Sequence, residues 1–151
     1  MQTSEQGLTL LIEREALRNK AYQDTVGVWT IGVGHTGPEV QEGLVWSDEK
    51  CRKVFAQDIK RFELAVAACV TVELKQHQFD ALVSFSFNCG ERALAHGNNG
   101  GPSGILRALN AGNAAGAATA FDSWHIPVEI TSRRNGEREQ FKGTAFKARI
   151  P

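Results

Sequence analysis

The chain has 151 residues, of which 42% are hydrophobic and 23% are charged, as in an ordinary soluble globular protein. Its 17 basic and 17 acidic side chains give a formal net charge of zero. Because nucleic-acid-binding domains carry a basic excess, we expect no nucleic-acid partner. The length suits one core, and we expect residues 1–151 to form a single domain and a monomer.

The apolar runs of the chain are too short for a membrane segment. None approaches the ~20 residues that span a bilayer. The run LTLLI, at residues 8–12, is too short for the core of a secretory signal, and Glu13 follows it. We therefore expect no stable membrane insertion and a protein that folds in the cytoplasm of the cell that makes it.

Cysteine and histidine patterns predict neither disulfides nor metal binding. The number of cysteines is odd, and Cys51 and Cys69 bracket one predicted helix, which would separate them by ~27 Å. We expect these two thiols and Cys89 to be reduced. The four histidines match none of the spacings of zinc sites, so we expect no metal and no cofactor.

The first predicted elements are a helix and a small β region. Thr3 and Gln6 have capping-box spacing at the start of the helix. Apolar residues recur at helical spacing until about Asn19. β-branched and aromatic residues then predict a β-hairpin or meander over about residues 20–46, with a turn at residues 24–27.

The rest of the chain is predicted to be helical. Ser47 caps one long helix over residues 48–69. The next helix, residues 75–88, is apolar around most of its circumference, which is typical of a central core helix. Shorter helices follow, two of them capped by Ser103 and Asn113.

These elements predict an α+β fold that is mostly helical. A small β lobe at about residues 20–46 is joined by the long helix to a larger lobe. The larger lobe takes about residues 70–151 and the N-terminal helix.

Glu15 is the carboxylate that the first helix directs toward the interior. It falls in the apolar stripe, whereas Glu13 points to the opposite side. A carboxylate there is costly unless it is paired or protonated, and partial desolvation would raise its pKa, as a general acid near neutral pH requires. A structural ion pair with an arginine is the alternative.

Asp24 and Thr30 follow within one hairpin. Asp24 lies in the turn and is expected to stay ionised, and the Thr30 hydroxyl could hold a water beside it. A protonated carboxyl, an ionised carboxylate and a held water are the parts of inverting glycoside hydrolysis. Asp24 could instead cap its own turn, and Thr30 could be a strand former only.

The chain resembles the phage-type lysozyme family, the muramidase endolysins. The spacing E-x8-D-x5-T is present, with AYQD at residues 21–24 and TIGVGHT at residues 30–36. Three later segments also resemble the family: QFDALVSFSFNCG at residues 78–90, LNAGNAAGAATAFDSW at 109–124 and RRNGER at 133–138. The resemblance implies a lysozyme-like fold.

The resemblance also implies roles for individual residues. Glu15 would be the general acid, Asp24 the base that positions the water, and Thr30 its partner. Peptidoglycan glycan strands would be the substrate, cut at the β-1,4 bond between N-acetylmuramic acid and N-acetylglucosamine.

Further roles follow for substrate binding. Sugar contacts would come from Phe87, Asn88 and the backbone at Cys89, and Arg133 would pair with Glu15.

The sequence departs from the family after the predicted acid. The family usually has glycine there, and this chain has Ala16. Because alanine favours helix, the departure predicts a helix that runs on past Glu15. Many relatives are basic, and the neutral charge here weakens the expectation of unaided binding to whole cells.

Two other functions remain open at this point. A lytic transglycosylase would cut the same bond with a single acid, although Asp24 and Thr30 favour hydrolysis. A catalytically silent peptidoglycan-binding protein could share the fold. If the chain is an endolysin, we expect it to wait in the host cytoplasm, to be released by a separate membrane-permeabilising protein, and to act on the cell wall.

Overall fold

The structure is a computed structural model that describes residues 1–125 and 128–144. Its strands are β1 (Arg18–Gln23), β2 (Trp29–Gly32) and β3 (His35–Thr36). Its α-helices are α1 (Glu5–Glu15), α2 (Asp48–Asp58), α3 (Lys60–Cys69), α4 (Gln76–Cys89), α5 (Gly104–Asn110), α6 (Ala114–Ala120) and α7 (Thr131–Lys142). The predicted end of the helical lobe, residues 145–151, lies outside the described residues.

The chain divides into two compact units. One unit is Leu8–Lys60, which holds the three strands and α2. The other consists of Met1–Gly7 and Arg61–Pro151, and it holds α3 to α7. No helix among the described residues combines the length and the apolar character that crossing a membrane requires.

Helix α1 starts at a different cap from the predicted one. The Ser4 hydroxyl accepts the backbone N–H of Gly7 at 3.0 Å. Asp80 holds Ser4 in place, because its carboxylate accepts both the Ser4 hydroxyl and, at 3.1 Å, the Ser4 backbone N–H. The predicted cap at Thr3 is wrong: its backbone N–H binds Glu63, and its buried hydroxyl has no partner among the described residues.

The strands of the unit Leu8–Lys60 form an antiparallel sheet in the order β1-β2-β3, as the predicted meander requires. Tyr22 pairs with Thr30, and Thr30 pairs with Thr36. A small apolar core in this unit consists of Ala21, Ile31, Val40, Trp46 and Cys51.

The single long helix predicted over residues 48–69 is two helices. Ser47 caps α2 as predicted, since its hydroxyl accepts the Lys50 N–H at 3.1 Å. Helix α2 ends at Asp58, and α3 begins at Lys60. At Ile59, between the two helices, the ψ angle is −10°, which departs from the α-helical value of about −42°. The sequence carries neither glycine nor proline there, so it gave no signal of this break.

Helix α4 is the core helix of the other unit, as predicted. Every residue from Phe79 to Ser86 is buried. Gly90 ends the helix with φ at +106°, a conformation that glycine adopts without strain. Ser103 and Asn113 cap α5 and α6 as expected.

Candidate active site

Glu15 is the last residue of α1 and is half-buried. The next residue, Ala16, has φ at +68° and is the only non-glycine residue with positive φ in the described part of the chain. Its N–H bonds the Ile12 carbonyl at 2.8 Å. The prediction that α1 continues past Glu15 is therefore wrong, because a left-handed residue ends the helix there and precedes β1.

Asp24 organises the turn between β1 and β2. Its Oδ1 atom accepts the N–H of Val26 at 2.9 Å and that of Val28 at 2.8 Å. Its backbone N–H donates to the Val28 carbonyl at 2.9 Å. The side chain is exposed, and its Oδ2 atom makes no hydrogen bond within the described residues. Asp24 thus caps its turn with one oxygen and keeps the other available.

Thr30 lies in β2 and is only 5% exposed. Its hydroxyl donates to the Val28 carbonyl at 3.0 Å. That carbonyl therefore accepts from both the Asp24 N–H and the Thr30 hydroxyl. The Val28 backbone ties the two predicted site residues together, which the sequence patterns did not predict.

His35 lies at the start of β3 and bridges two carboxylates. Its Nδ1 atom is 2.7 Å from Asp58, and its Nε2 atom is 2.6 Å from Glu39. Burial lowers the pKa of His35, but the hydrogen bonds to Glu39 and Asp58 outweigh it, so the net shift is upward. The hydrogen bond from His35 holds the pKa of Glu39 below its usual range.

The predicted substrate-binding residues lie at the end of α4. Phe87 is half-buried and meets Phe62 edge to face, with ring centroids 5.2 Å apart. Asn88 is exposed, and Cys89 is half-buried. Burial raises the pKa of the Cys89 thiol, which favours its neutral form.

A pocket of about 560 Å³ opens beside Cys89. Charged and polar side chains and one tryptophan line it. Its lining consists of Cys89, Gly90, Glu91, Arg92, Ala93, His96, Asn98 and Trp124.

Arg133 contacts Glu137 and Ser84 within its unit. Its Nε atom donates to Glu137 at 3.0 Å, and its Nη2 atom donates to the Ser84 carbonyl at 3.2 Å. Its neighbour Arg134 is fully buried and reaches Asn88 and Cys89. The sequence analysis predicted a role for Arg133 but none for Arg134 or Glu137. The i, i+3 spacing of Arg134 and Glu137 could have indicated an ion pair on one face of a helix.

The described residues contain no group of three His, Cys, Asp or Glu side chains that could hold a metal ion.

The family model for phage lysozyme matches residues 12–137 of the chain. The chain belongs to the phage lysozyme family. The match covers every predicted site residue. This confirms the resemblance and the fold class, and it makes the protein a lysozyme-type glycoside hydrolase.

Individual lysozymes support the same assignment. The endolysin of Salmonella phage P22 is 40% identical over 149 residues, covering 93% of this chain and 98% of the relative. A crystal structure of a P22 lysozyme mutant superposes with a TM-score of 0.86 at 39% identity, covering 94% and 99% of the two chains.

A muramidase domain shares the fold as well. The muramidase domain of SpmX from Asticaccaulis excentricus gives a TM-score of 0.81 at 34% identity. The match covers 93% of this chain and 97% of that domain. The individual roles of Glu15, Asp24 and Thr30 stay predictions.

Proposed function

We propose that this lysozyme hydrolyses the β-1,4 bond between N-acetylmuramic acid and N-acetylglucosamine in peptidoglycan, with inversion, to lyse bacteria. Glu15 is the general acid, Asp24 is the base, and Thr30 helps to hold the attacking water. The observation that carries the proposal is the joint attachment of Asp24 and Thr30 to the Val28 backbone.

The hydrogen-bond directions suit a nucleophilic water. The Thr30 hydroxyl gives its hydrogen to Val28, so its oxygen can only accept from a water. Asp24 Oδ2 is also an acceptor. A water that donates one hydrogen to each oxygen keeps a lone pair for the anomeric carbon, and Asp24 then receives the proton as the new bond forms.

Thr30 and Asp24 also lie close together in the hairpin. Asp24 pairs through its backbone with Val28, and Thr30 lies two residues beyond Val28. The two residues therefore contact the same backbone carbonyl, and we expect Asp24 Oδ2 and the Thr30 hydroxyl to hold one water between them.

Glu15 supplies the proton to the leaving sugar oxygen. The left-handed residue that follows fixes where α1 ends and therefore where this carboxyl lies. Pairing of Glu15 with Arg133 stays a prediction from the family resemblance.

Glycan strands are the substrate partner, with sugar contacts from Phe87, Asn88 and the Cys89 backbone. The chain acts as one catalytic domain and as a monomer. It stays in the host cytoplasm until a separate protein permeabilises the membrane, and it then acts on the cell wall.

The decisive experiment is the release of reducing ends from purified peptidoglycan. Glu15→Gln should lower the rate by about 10²–10⁴-fold, because the amide cannot donate the acid's proton. Glu13→Gln, an exposed change on the same helix, is the matched control and should keep wild-type activity. Equal rates for Glu15→Gln and wild type would remove Glu15 from the mechanism.

Product analysis separates the remaining alternatives. Inversion predicts that the first hydrolysed product carries the α anomer, which NMR detects before mutarotation. Mass spectrometry should show hydrated ends, and 1,6-anhydro ends would identify a lytic transglycosylase instead. A protein that only binds peptidoglycan would release no new ends.

A further inference from the structure

A buried carboxylate lies at the centre of α7. Glu137 is fully buried and accepts the Ser84 hydroxyl at 2.7 Å. It also accepts Arg133 Nε at 3.0 Å and an Nη1 hydrogen of Arg134. Because two guanidinium groups and one hydroxyl surround it, Glu137 holds both arginines in fixed positions.

Arg134 extends this network to the end of α4. Its Nε atom donates to the Trp124 carbonyl at 2.9 Å, and its guanidinium lies 5.1 Å from the Phe85 ring centroid. Its Nη2 atom donates to Asn88 Oδ1 and lies 2.9 Å from Cys89 Sγ. A buried side chain is thus in direct contact with an exposed one.

The contact fixes which atom of the Asn88 amide faces outward. Arginine can only donate hydrogen bonds, so the amide atom that it contacts has to be the oxygen. The Nδ2 group is then the end of the side chain that remains for a ligand. An exposed asparagine without such a partner would distribute over several rotamers and would lose that entropy on binding.

We propose that Arg134 is a positioning residue for substrate binding, because it fixes the Asn88 amide with its Nδ2 donors toward the glycan. An N-acetyl carbonyl or a sugar hydroxyl is the acceptor of matching chemistry. The inference rests on the proposed function, in which Asn88 binds the glycan. Glu137 supports the arrangement by holding Arg134.

A double-mutant cycle tests the proposal. Arg134→Lys keeps the positive charge beside Glu137 but cannot reach all the acceptors of the guanidinium. The variant is assayed on a soluble glycan fraction of peptidoglycan, at a temperature well below the melting temperature of the variant. Its KM should be about fivefold higher than that of the wild type, and its kcat should change little. Arg138→Lys is the matched control: Arg138 lies on the same helix as Arg134 but pairs with Asp122, which is not in α7, and this change should leave KM unchanged.

The coupling between the two positions distinguishes positioning from loss of packing. Asn88→Ala should also raise KM, and adding Arg134→Lys to it should raise KM no further. A full additional increase in the double variant would overturn the proposal. An unchanged KM in Asn88→Ala alone would also overturn it, while hydrolysis by the unmodified enzyme would show that the proposed reaction itself still holds.

NMR on the unmodified protein provides a test without a variant. The Asn88 side-chain amide should show restricted motion, whereas the exposed amide of Asn99 should be mobile. Equal mobility of the two amides would contradict the proposal even if Arg134→Lys failed to fold.

Discussion

The two units of the molecule hold their functional side chains by different means. In the unit Leu8–Lys60, Asp24 is exposed and is held by two backbone N–H groups from its own turn. In the helical unit, Arg134 is fully buried and is held by the buried carboxylate of Glu137. Short-range backbone bonds can position a carboxylate in water. A buried charge needs a partner charge of its own.

This contrast has an energetic consequence. Loss of the Asp24 charge should leave the turn intact, because an amide oxygen also accepts backbone N–H groups. Loss of the Glu137 charge would leave two arginines without their shared acceptor. Activity should therefore be the sensitive quantity at Asp24, and stability should be the sensitive quantity at Glu137.

The largest expected effect is that of Asp24→Asn on activity. The release of reducing ends should fall by about 10²–10⁴-fold, because the amide cannot take the water's proton. The melting temperature should stay close to that of wild type. Asp48→Asn, which alters an exposed carboxylate that accepts from Asn19, is the control and should remain active. A large loss of stability in Asp24→Asn would break the contrast between the units.

Glu137→Ala should give the largest loss of stability. Removing one partner from a buried ion network costs about 3–5 kcal/mol, which urea unfolding would measure as a lower midpoint. Glu91→Ala removes an exposed partner of Arg61 and should cost at most about 1 kcal/mol. Similar losses in the two variants would show that burial of Glu137 does not govern its contribution.

Ala16→Gly should stabilise the protein. An L-residue in the left-handed region is strained by roughly 1–2 kcal/mol, and the greater entropy of unfolded glycine offsets part of the gain. The net increase should be about 0.5–1 kcal/mol, visible as a higher melting temperature. Ala67→Gly, in the exposed face of α3, should instead destabilise by about 1 kcal/mol. Destabilisation by both changes would contradict the conformation at Ala16.

The His35 contacts predict a smaller, pH-dependent effect. The pKa of His35 is raised above 6.5 in the folded protein. Its contribution to the free energy of unfolding is therefore fully present below pH 6.5 and is lost as the pH rises through the folded pKa. The pKa of Glu39 is lowered below 4.5, so the contribution of Glu39 is fully present above pH 4.5 and is lost as the pH falls through the folded pKa.

The difference in stability between wild type and His35→Gln should therefore be largest between these two pH values. Urea unfolding across the pH range would measure it, with the exposed His96→Gln as the control. A difference that grows steadily above pH 7 would contradict the upward pKa shift.

Local sequence signals predicted several elements correctly. Ser47, Ser103 and Asn113 cap the helices that follow them, because each cap bonds an N–H only three residues away. The hairpin was also predictable, since a turn and alternating strand formers specify it within a few residues. The break at Ile59 was not, because the sequence there contains no helix-breaking residue.

The candidate site was predictable in its members but not in its geometry. Spacing and family resemblance pointed to Asp24 and Thr30 without showing that Val28 joins them. Arg133 was named, whereas the buried contacts belong largely to Arg134. A sequence pattern cannot distinguish two adjacent arginines when the difference lies in what each one packs against.

The sequence by itself determined the family membership, and it determined the element types and the caps of α2, α5 and α6 because these depend on residues that are close along the chain. The tertiary structure alone decided that Ser4 and not Thr3 caps α1, through Asp80, 76 residues away. It also decided that Arg134 orients Asn88, 46 residues away. Such contacts depend on how distant segments of the chain pack together. Packing brings the two partners within hydrogen-bond distance, and no local sequence pattern specifies which residues will meet.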